Sequence, residues 1–216
     1  MKDQKIVYFV RHGQSQDNVA PLFQSPDSCL NPKGREQASK IADRISKLKF
    51  AALLSSSLPR ATETAEIIGQ TTNCTPELSD LFVERIKPSS INGKLYNDAG
   101  ASAVWRNWEK SLYTPGMRVE DGENFDDIVR RTDQALKLLK SRSEHSIVVV
   151  THGYFLRSII ARVLLQDQLS GDAFREIQRL ASMENTGLTV LRYSDAFEEK
   201  PCWRLWIYND HAHLAE

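Results

Sequence analysis

Nothing in these 216 residues reads as a membrane span or a secretory leader. The apolar run near the amino terminus, residues 6–10, is five residues long before Arg11 interrupts it, too short for either role. Cysteine is scarce. Cys29, Cys74 and Cys202 are odd in number and far apart, which argues against a disulfide framework and fits a reducing compartment, so a cytoplasmic protein is expected. Neither sign of charge is in excess: 28 Lys and Arg oppose 28 Asp and Glu. No overall field therefore draws the chain to nucleic acid or to a membrane surface, and any anion must be held by a local cluster. No Gly-rich loop ends in Lys-Ser or Lys-Thr, which excludes nucleotide hydrolysis by the P-loop route. The one run with metal-ligand residues close together, Asp210-His211-Ala212-His213, has no third or fourth ligand spaced nearby. No metal and no cofactor are expected.

What is present is an ordinary globular composition with an apolar fraction of 41%, enough for a proper core. Short apolar, β-branched runs bounded by turn residues mark strands at 5–10, 50–55, 146–151, 187–193 and 202–208. Helical spacing appears between them. Over residues 32–48, Ala38, Ile41, Ile45 and Leu48 share a face; over 124–139, Phe125, Ile128, Val129, Thr132, Leu136 and Leu139 do. This alternation predicts an α/β fold with a mostly parallel sheet covered on both faces, the run 146–151 being apolar throughout. Residues 85–120 stand apart, rich in Ser, Asn, Gly and Pro, with Tyr96, Trp105, Trp108 and Tyr113 among them. They are read as an insertion over the active face, with the two tryptophans serving as packing or as a substrate lid.

Three clusters carry chemistry. The strand 5–10 runs directly into Arg11-His12-Gly13-Gln14-Ser15, which places an Arg and a His at the carboxyl end of a buried strand, where open α/β sheets bind ligands. Asn18 adds a neutral donor within one turn. After the strand 50–55, Pro59 suits the start of a helix and puts Arg60 in its first turn, an anion site made of backbone donors and a guanidinium. Closing the strand 146–151, Thr151-His152-Gly153 repeats the first arrangement. One His-Gly pair at a strand end means little; two are harder to dismiss.

Together these residues make the chain resemble the histidine phosphatase superfamily, also called the phosphoglycerate mutase-like family. Arg11-His12-Gly13 with Ser15 and Asn18, Ser57-Leu58-Pro59-Arg60-Ala61 with Thr64-Ala65, and Thr151-His152-Gly153 match its three motifs. Further landmarks follow in order: 30–38, Asp121-Gly122-Glu123-Asn124-Phe125 with Arg130 or Arg131, and Asn209-Asp210 with His213-Leu214. The resemblance implies a three-layer α/β/α sandwich, one domain over 1–216, and a small phosphorylated substrate. It also implies roles: His12 the nucleophile that carries the phosphoryl group, Arg11 and Arg60 the phosphate clamp, His152 a hydrogen-bond partner of the transferring group. Asn18 and Gly153 would be lesser substrate contacts. Glu84 is the best match for the proton donor, although 86–94 departs from the commoner pattern. Phosphoryl transfer asks mostly for positioning and for donors on the equatorial oxygens, which these side chains supply without a metal.

Other readings compete. Cys29 through Arg35 fits the Cys-x5-Arg spacing of cysteine phosphatases, but 24–28 reads as loop, not as the strand that chemistry needs. A mutase that returns the phosphoryl group to a sugar acid is disfavoured because the residues after Glu84-Arg85 lack the His-Tyr-Gly signature. A non-catalytic phosphate-binding protein would have no need of a proton donor. The sequence does not decide between a monomer and a homodimer.

Overall fold

The computed structural model describes residues 4–194 and 202–215. Six strands, β1 (Lys5–Arg11), β2 (Ala52–Ser55), β3 (Glu77–Leu78), β4 (Ser146–Thr151), β5 (Leu188–Ser194) and β6 (Cys202–Asp210), form one sheet in the order β3-β2-β4-β1-β5-β6. The helices are α1 (Pro32–Ile45), α2 (Pro59–Thr72), α3 (Ala99–Ser111), α4 (Phe125–Ser141), α5 (Gly153–Leu165) and α6 (Gly171–Leu180).

Period-two alternation along the central strands builds the layers. Val7, Phe9, Ile147 and Val149 face a core with Ala135, Leu139, Phe155 and Ile159 of α4 and α5. Val10, Val148 and Val150 face the opposite core with Ile41, Ile45, Ala61 and Ile68 of α1 and α2. Successive residues of a strand point to opposite faces, so a strand apolar at every position must be covered twice, which makes the fold a three-layer sandwich. A third apolar cluster, in which Trp108 of α3 and Leu112 just after it meet Phe125, Tyr154 and Phe174, fastens α3 and α6 over α4 and α5.

The helix starts follow the sequence. Asn31 caps α1 by accepting the Gly34 amide at 2.8 Å, with Pro32 in the first position. Asn124 and Asp127 form a capping box on α4, and Pro59 opens α2. Two elements escaped the sequence reading: β3, two exposed residues long, and α6. The sheet is mostly parallel, as expected, with β5 its one reversed strand. The pairs β1–β4, β2–β4 and β2–β3 are parallel, whereas β1–β5 and β5–β6 are antiparallel. Only residues 195–201 separate β5 from β6, too few for the crossover that a parallel pair requires.

Parallel register sets the active edge. Arg11 lies beside Thr151 and Ser55 beside Val150, so the next residues put His12 beside His152, with Ser56 beside Thr151, one position short of that row. The ladder continues into these positions, with the His12 amide on the Thr151 carbonyl and the Ser56 amide on that of Val150, both at 2.9 Å.

Gly13 and Gly34 let the loop after β1 touch the start of α1. A Cβ on Gly34 would lie 2.0 Å from the Gln14 carbonyl oxygen, and one on Gly13 would lie 2.4 Å from that of Gly34. Both obstacles are backbone, so neither can step aside. Gly34→Ala is expected to cost roughly 2–3 kcal/mol and lower the melting midpoint by about 5–10 °C. Gly100→Ala in α3, where the nearest atom is a side-chain oxygen at 3.4 Å, should be neutral or stabilising. Equal midpoints for the two variants in thermal unfolding would refute the close-approach argument.

Candidate active site

The row at the carboxyl ends of β1 and β4 holds two imidazoles. His12 and His152 are 2% and 0% exposed, and their ring centroids lie 4.9 Å apart at a 57° tilt. His12 Nδ1 is 2.6 Å from the Gly13 carbonyl oxygen, a pure acceptor, so Nδ1 carries the proton. Its Nε2 keeps the lone pair and receives Nε–H of Arg60 at 3.3 Å. Loss of hydration pushes the His12 pKa well below the usual 6.5, and the charges of Arg60 and Arg11 push it further. Burial, then Arg60, do the same to His152. Both rings are therefore neutral at physiological pH, the form in which an imidazole nitrogen is a nucleophile.

Ser56, which sequence reasoning did not single out, orients His152. Its Oγ accepts the Leu58 amide at 3.2 Å and lies 2.7 Å from His152 Nε2. If the hydroxyl proton points to Nε2, the ring proton sits on Nδ1, which is buried and bonds to no protein group. Arg11 Nε is likewise buried and unpartnered, while its Nη1 donates to the Met183 carbonyl. Buried polar atoms are nearly always bonded, so two orphans in one site mark where an anion finds donors.

Arg60 occupies the first turn of α2 as the sequence indicated, and it is 2% exposed rather than solvated. Burial lowers its pKa to about 10, which leaves it cationic. Thr64, one turn on, receives the Gly13 amide at 3.1 Å and donates to the Arg60 carbonyl at 2.7 Å, tying helix to loop.

Glu84 comes from the segment after β3. Its carboxylate accepts amides of Arg85 at 3.0 Å, Phe155 at 3.1 Å and Tyr154 at 3.3 Å, so it caps the amino terminus of α5 next to Gly153. A buried ion pair fixes this segment. Arg131 donates Nε and Nη2 to the two oxygens of Glu123, each at 2.7 Å, and also bonds the carbonyls of Leu81, Val83 and Glu84. Of the two arginines left open by the sequence, Arg131 is the one that matters here; Arg130 pairs with Asp127 at the surface.

Arg11, Asn18, Arg60, Glu84 and Gly153 are among the residues that line a cavity of about 1290 Å³; the buried His12 and His152 are not, and lie beyond that wall. Residues 85–120 form much of its wall, through Arg85, Lys87, Tyr96, Trp105 and Arg106. Both tryptophans reach the cavity and both pack. Trp108 is fully buried, with Nε1–H on the Glu123 carbonyl at 2.8 Å, whereas Trp105 stacks on Phe23 at the cavity wall. Arg85 lies over Tyr154, Trp108 and Trp105 at 4.2, 4.7 and 4.8 Å. Positive charge dominates the cavity. Burial, Arg60 and Arg85 lower the Lys87 pKa to about 8. Sequence reasoning missed Lys87 and Arg157, because no local pattern tells a cavity lysine from a solvated one.

Two competing motifs come apart. Cys29 is exposed in a loop, and Arg35 pairs with Glu63 at 2.5 Å instead of turning toward the thiol. Asp210 pairs with Arg44 and His213 Nε2 lies 2.9 Å from Thr186 Oγ1, so both side chains have partners other than a metal.

The profile of the histidine phosphatase superfamily (branch 1) matches residues 7–204. A probable phosphoglycerate mutase GpmB of Proteus mirabilis is 33% identical over 218 aligned residues, covering 97% of this chain and 95% of that protein. Among solved structures, the native mycobacterial glucosyl-3-phosphoglycerate phosphatase has a TM-score of 0.73 at 24% identity, covering 96% of this chain and 99% of that one. A mutant phosphoserine phosphatase from Entamoeba histolytica, in complex with phosphoserine, reaches 0.75 at 21% identity, covering 97% and 99%.

Burial of two neutral imidazoles has a thermodynamic signature. An unfolded chain protonates both rings below about pH 6.5, while the folded chain does not, so the unfolded state binds more protons and stability is lost as the pH falls. Each ring contributes a slope of about 1.4 kcal/mol per pH unit, from about pH 6.5 down to its folded pKa. Urea titrations between pH 7.5 and 5 in phosphate-free buffer should show that slope lessened in the double variant His12→Gln, His152→Gln. The same slope in wild type and variant would rule out the two rings as its source.

Proposed function

The chain belongs to the histidine phosphatase superfamily, and from that premise we propose that it is a phosphatase hydrolysing a small phosphomonoester through a phosphohistidine on His12. The observation that carries this reading is the fixed tautomer of His12, Nδ1–H on the Gly13 carbonyl and the Nε2 lone pair facing Arg60. In the first step Nε2 attacks phosphorus as the bond to the leaving oxygen breaks. Arg60 gives up its contact with Nε2 and, with Arg11 and His152, donates to the equatorial oxygens. A phosphate dianion beside Glu84 favours its protonated form, and the carboxylic acid gives that proton to the leaving oxygen and becomes a carboxylate. In the second step Glu84 takes a proton from water, the hydroxide displaces the imidazole from phosphorus, and phosphate leaves with His12 neutral again. Arg131 and Glu123 hold the backbone that carries Glu84.

Two guanidiniums supply the positive charge that a metal ion would otherwise provide, and the neutral His152 adds a further donor, which supports a metal-independent reaction. Arg85, Lys87, Arg106 and Arg157 line the cavity beyond this cluster and favour a substrate with negative charge besides its phosphate. Asn18, at the rim, is the weakest of the substrate contacts. Cysteine is too scarce and scattered in the sequence for a disulfide framework, which supports a reducing, cytoplasmic setting.

The name of the relative from Proteus mirabilis favours a second reading, transfer of the phosphoryl group back to a sugar acid. Against it, Ile86-Lys87-Pro88 stands where the mutase signature would be.

Wild type is expected to hydrolyse an aryl phosphate in the presence of a strong chelator and to form an acid-labile phosphoenzyme, both lost in His12→Ala and retained in Cys29→Ser. Activity that needs an added divalent ion would refute the metal-free mechanism. Incubation with phosphoglycerate isomers and the bisphosphate primer separates the two readings: isomerisation much faster than phosphate release would establish the mutase.

Glu84→Gln should slow alkyl phosphates far more than aryl phosphates with acidic phenols, since an alkoxide leaves poorly without a proton. On aryl substrates the phosphoenzyme should accumulate, because its hydrolysis needs the carboxylate. Equal losses on both substrates and no trapped intermediate would assign the proton to another residue.

A further inference from the structure

Behind His12, away from the cavity, the turn Met183–Gly187 grips Arg11 and His12 at five points. The Thr186 amide donates to the Arg11 carbonyl at 2.9 Å and to that of His12 at 3.4 Å. Asn185 Nδ2 donates to the His12 carbonyl at 2.9 Å. The Arg11 amide donates to the Gly187 carbonyl at 3.3 Å, and the Met183 carbonyl receives the Arg11 guanidinium. The turn is strained to do this. Thr186 is fully buried at φ +60, a left-handed conformation that a β-branched residue adopts only at a cost of about 1–3 kcal/mol.

The carboxyl terminus of the chain braces that turn. Thr186 Oγ1 donates to the Asn185 carbonyl at 2.7 Å, so its single proton is used and it must accept from His213 Nε2 at 2.9 Å. With the proton on Nε2, His213 Nδ1 is an acceptor, and Arg44 Nη1 faces it at 3.5 Å. Arg44 is itself paired with Asp210. Every donor in the chain Arg44, His213, Thr186, Asn185 points the same way, toward the backbone of His12. Burial, then Arg44, lower the His213 pKa to about 4, so the ring stays in this neutral tautomer. Asn209 secures the other side of the turn, accepting the Glu184 amide at 2.9 Å from its own left-handed position at φ +46.

We propose that His213 is a positioning residue for His12, acting through the Thr186 hydroxyl to hold the strained turn that sets the backbone, and hence the ring angle, of the nucleophile. The proposal rests on His12 being the nucleophile, and the effect belongs to the phosphorylation step. Small misplacements of a nucleophile cost rate more than affinity, because the near-attack geometry is lost while the anion donors Arg60 and His152, which the turn does not touch, stay.

The test uses the full chain with His213→Ala, His213→Gln and Thr186→Val, measuring phosphoenzyme formation in single turnovers, phosphate affinity, the thermal midpoint, and ring-nitrogen NMR of the free enzyme. His213→Ala and Thr186→Val should each slow phosphorylation by about 10- to 100-fold with phosphate affinity within about twofold of wild type. His213→Gln should recover most of the rate, since its amide nitrogen reaches the Thr186 hydroxyl. The NMR arm does not depend on turnover. It should show one His12 tautomer in wild type, with Nδ1 protonated, and exchange between tautomers or ring positions in His213→Ala. Unchanged His12 signals would overturn the proposal, as would parallel losses of rate, phosphate affinity and thermal midpoint, the mark of a general loosening. If wild type forms no phosphoenzyme, the phosphatase reading fails, and the NMR arm still decides whether His213 holds His12.

Discussion

Two imidazoles must stay uncharged while lying beside two guanidiniums, and this electrostatic constraint governs the rest of the molecule. Among the described residues neither Arg11 nor Arg60 has a carboxylate partner within ion-pair distance, although both are largely withdrawn from water. A carboxylate in contact would stabilise these cations, and it would also raise the histidine pKa values and repel an anionic substrate. Glu84 is near enough to be felt by Arg11 and Arg60, yet its oxygens are committed to the amides at the start of α5. The negative charge is thereby kept at the edge of the site. The centre is left for a phosphate.

Such a site cannot hold itself together, because like charges push it apart, so its geometry must come from elements whose stability is independent of it. The central sheet supplies the first coordinate: parallel register fixes the spacing of His12, Ser56 and His152 through backbone bonds alone. The Gly13–Gly34 contact supplies a second, docking α1 against the loop after β1. A third comes from Arg131 and Glu123, a bidentate buried pair that holds the Glu84 segment by three carbonyls. Breaking such a pair by removing one partner costs about 3–5 kcal/mol, far more than the pair adds to stability. Its value therefore lies in fixing where Glu84 sits.

Legibility from sequence followed the range of the interaction. Strand 146–151 and the start of α1 were readable because their signals, unbroken β-branched residues and Asn31-Pro32, act within a few positions. Arg11, His12, Arg60 and His152 were readable because each sits at the end of such an element. Helix α6 carried a local signal that the sequence reading passed over, Ser170 as its cap with Phe174 and Ile177 on one face, whereas β3, with no buried residue, left none. The antiparallel return of β5 was hidden in the order of the strands. Once β5 lies antiparallel to β1, its first residues meet the last residues of β1, and Asn185-Thr186-Gly187, which reads locally as a turn, becomes the backing of His12. His213 was visible only as a landmark, since its partner Thr186 is 27 positions away.

Several features of the site oppose folding. Two orphaned buried donors, two arginines without carboxylate partners, two rings that resist protonation and a left-handed threonine each raise the free energy of the empty enzyme. A dianion bound among them would relieve most of these terms at once: it would satisfy Arg11 Nε and His152 Nδ1 and neutralise the guanidiniums. Free energy that the cores of the sandwich spend on keeping the site open is returned as affinity for phosphate, so the molecule should be more stable with its ligand than without it. The same account explains why the charge must lie buried. Exposed arginines would be screened by water and salt, and could neither hold His12 neutral nor bind a dianion strongly.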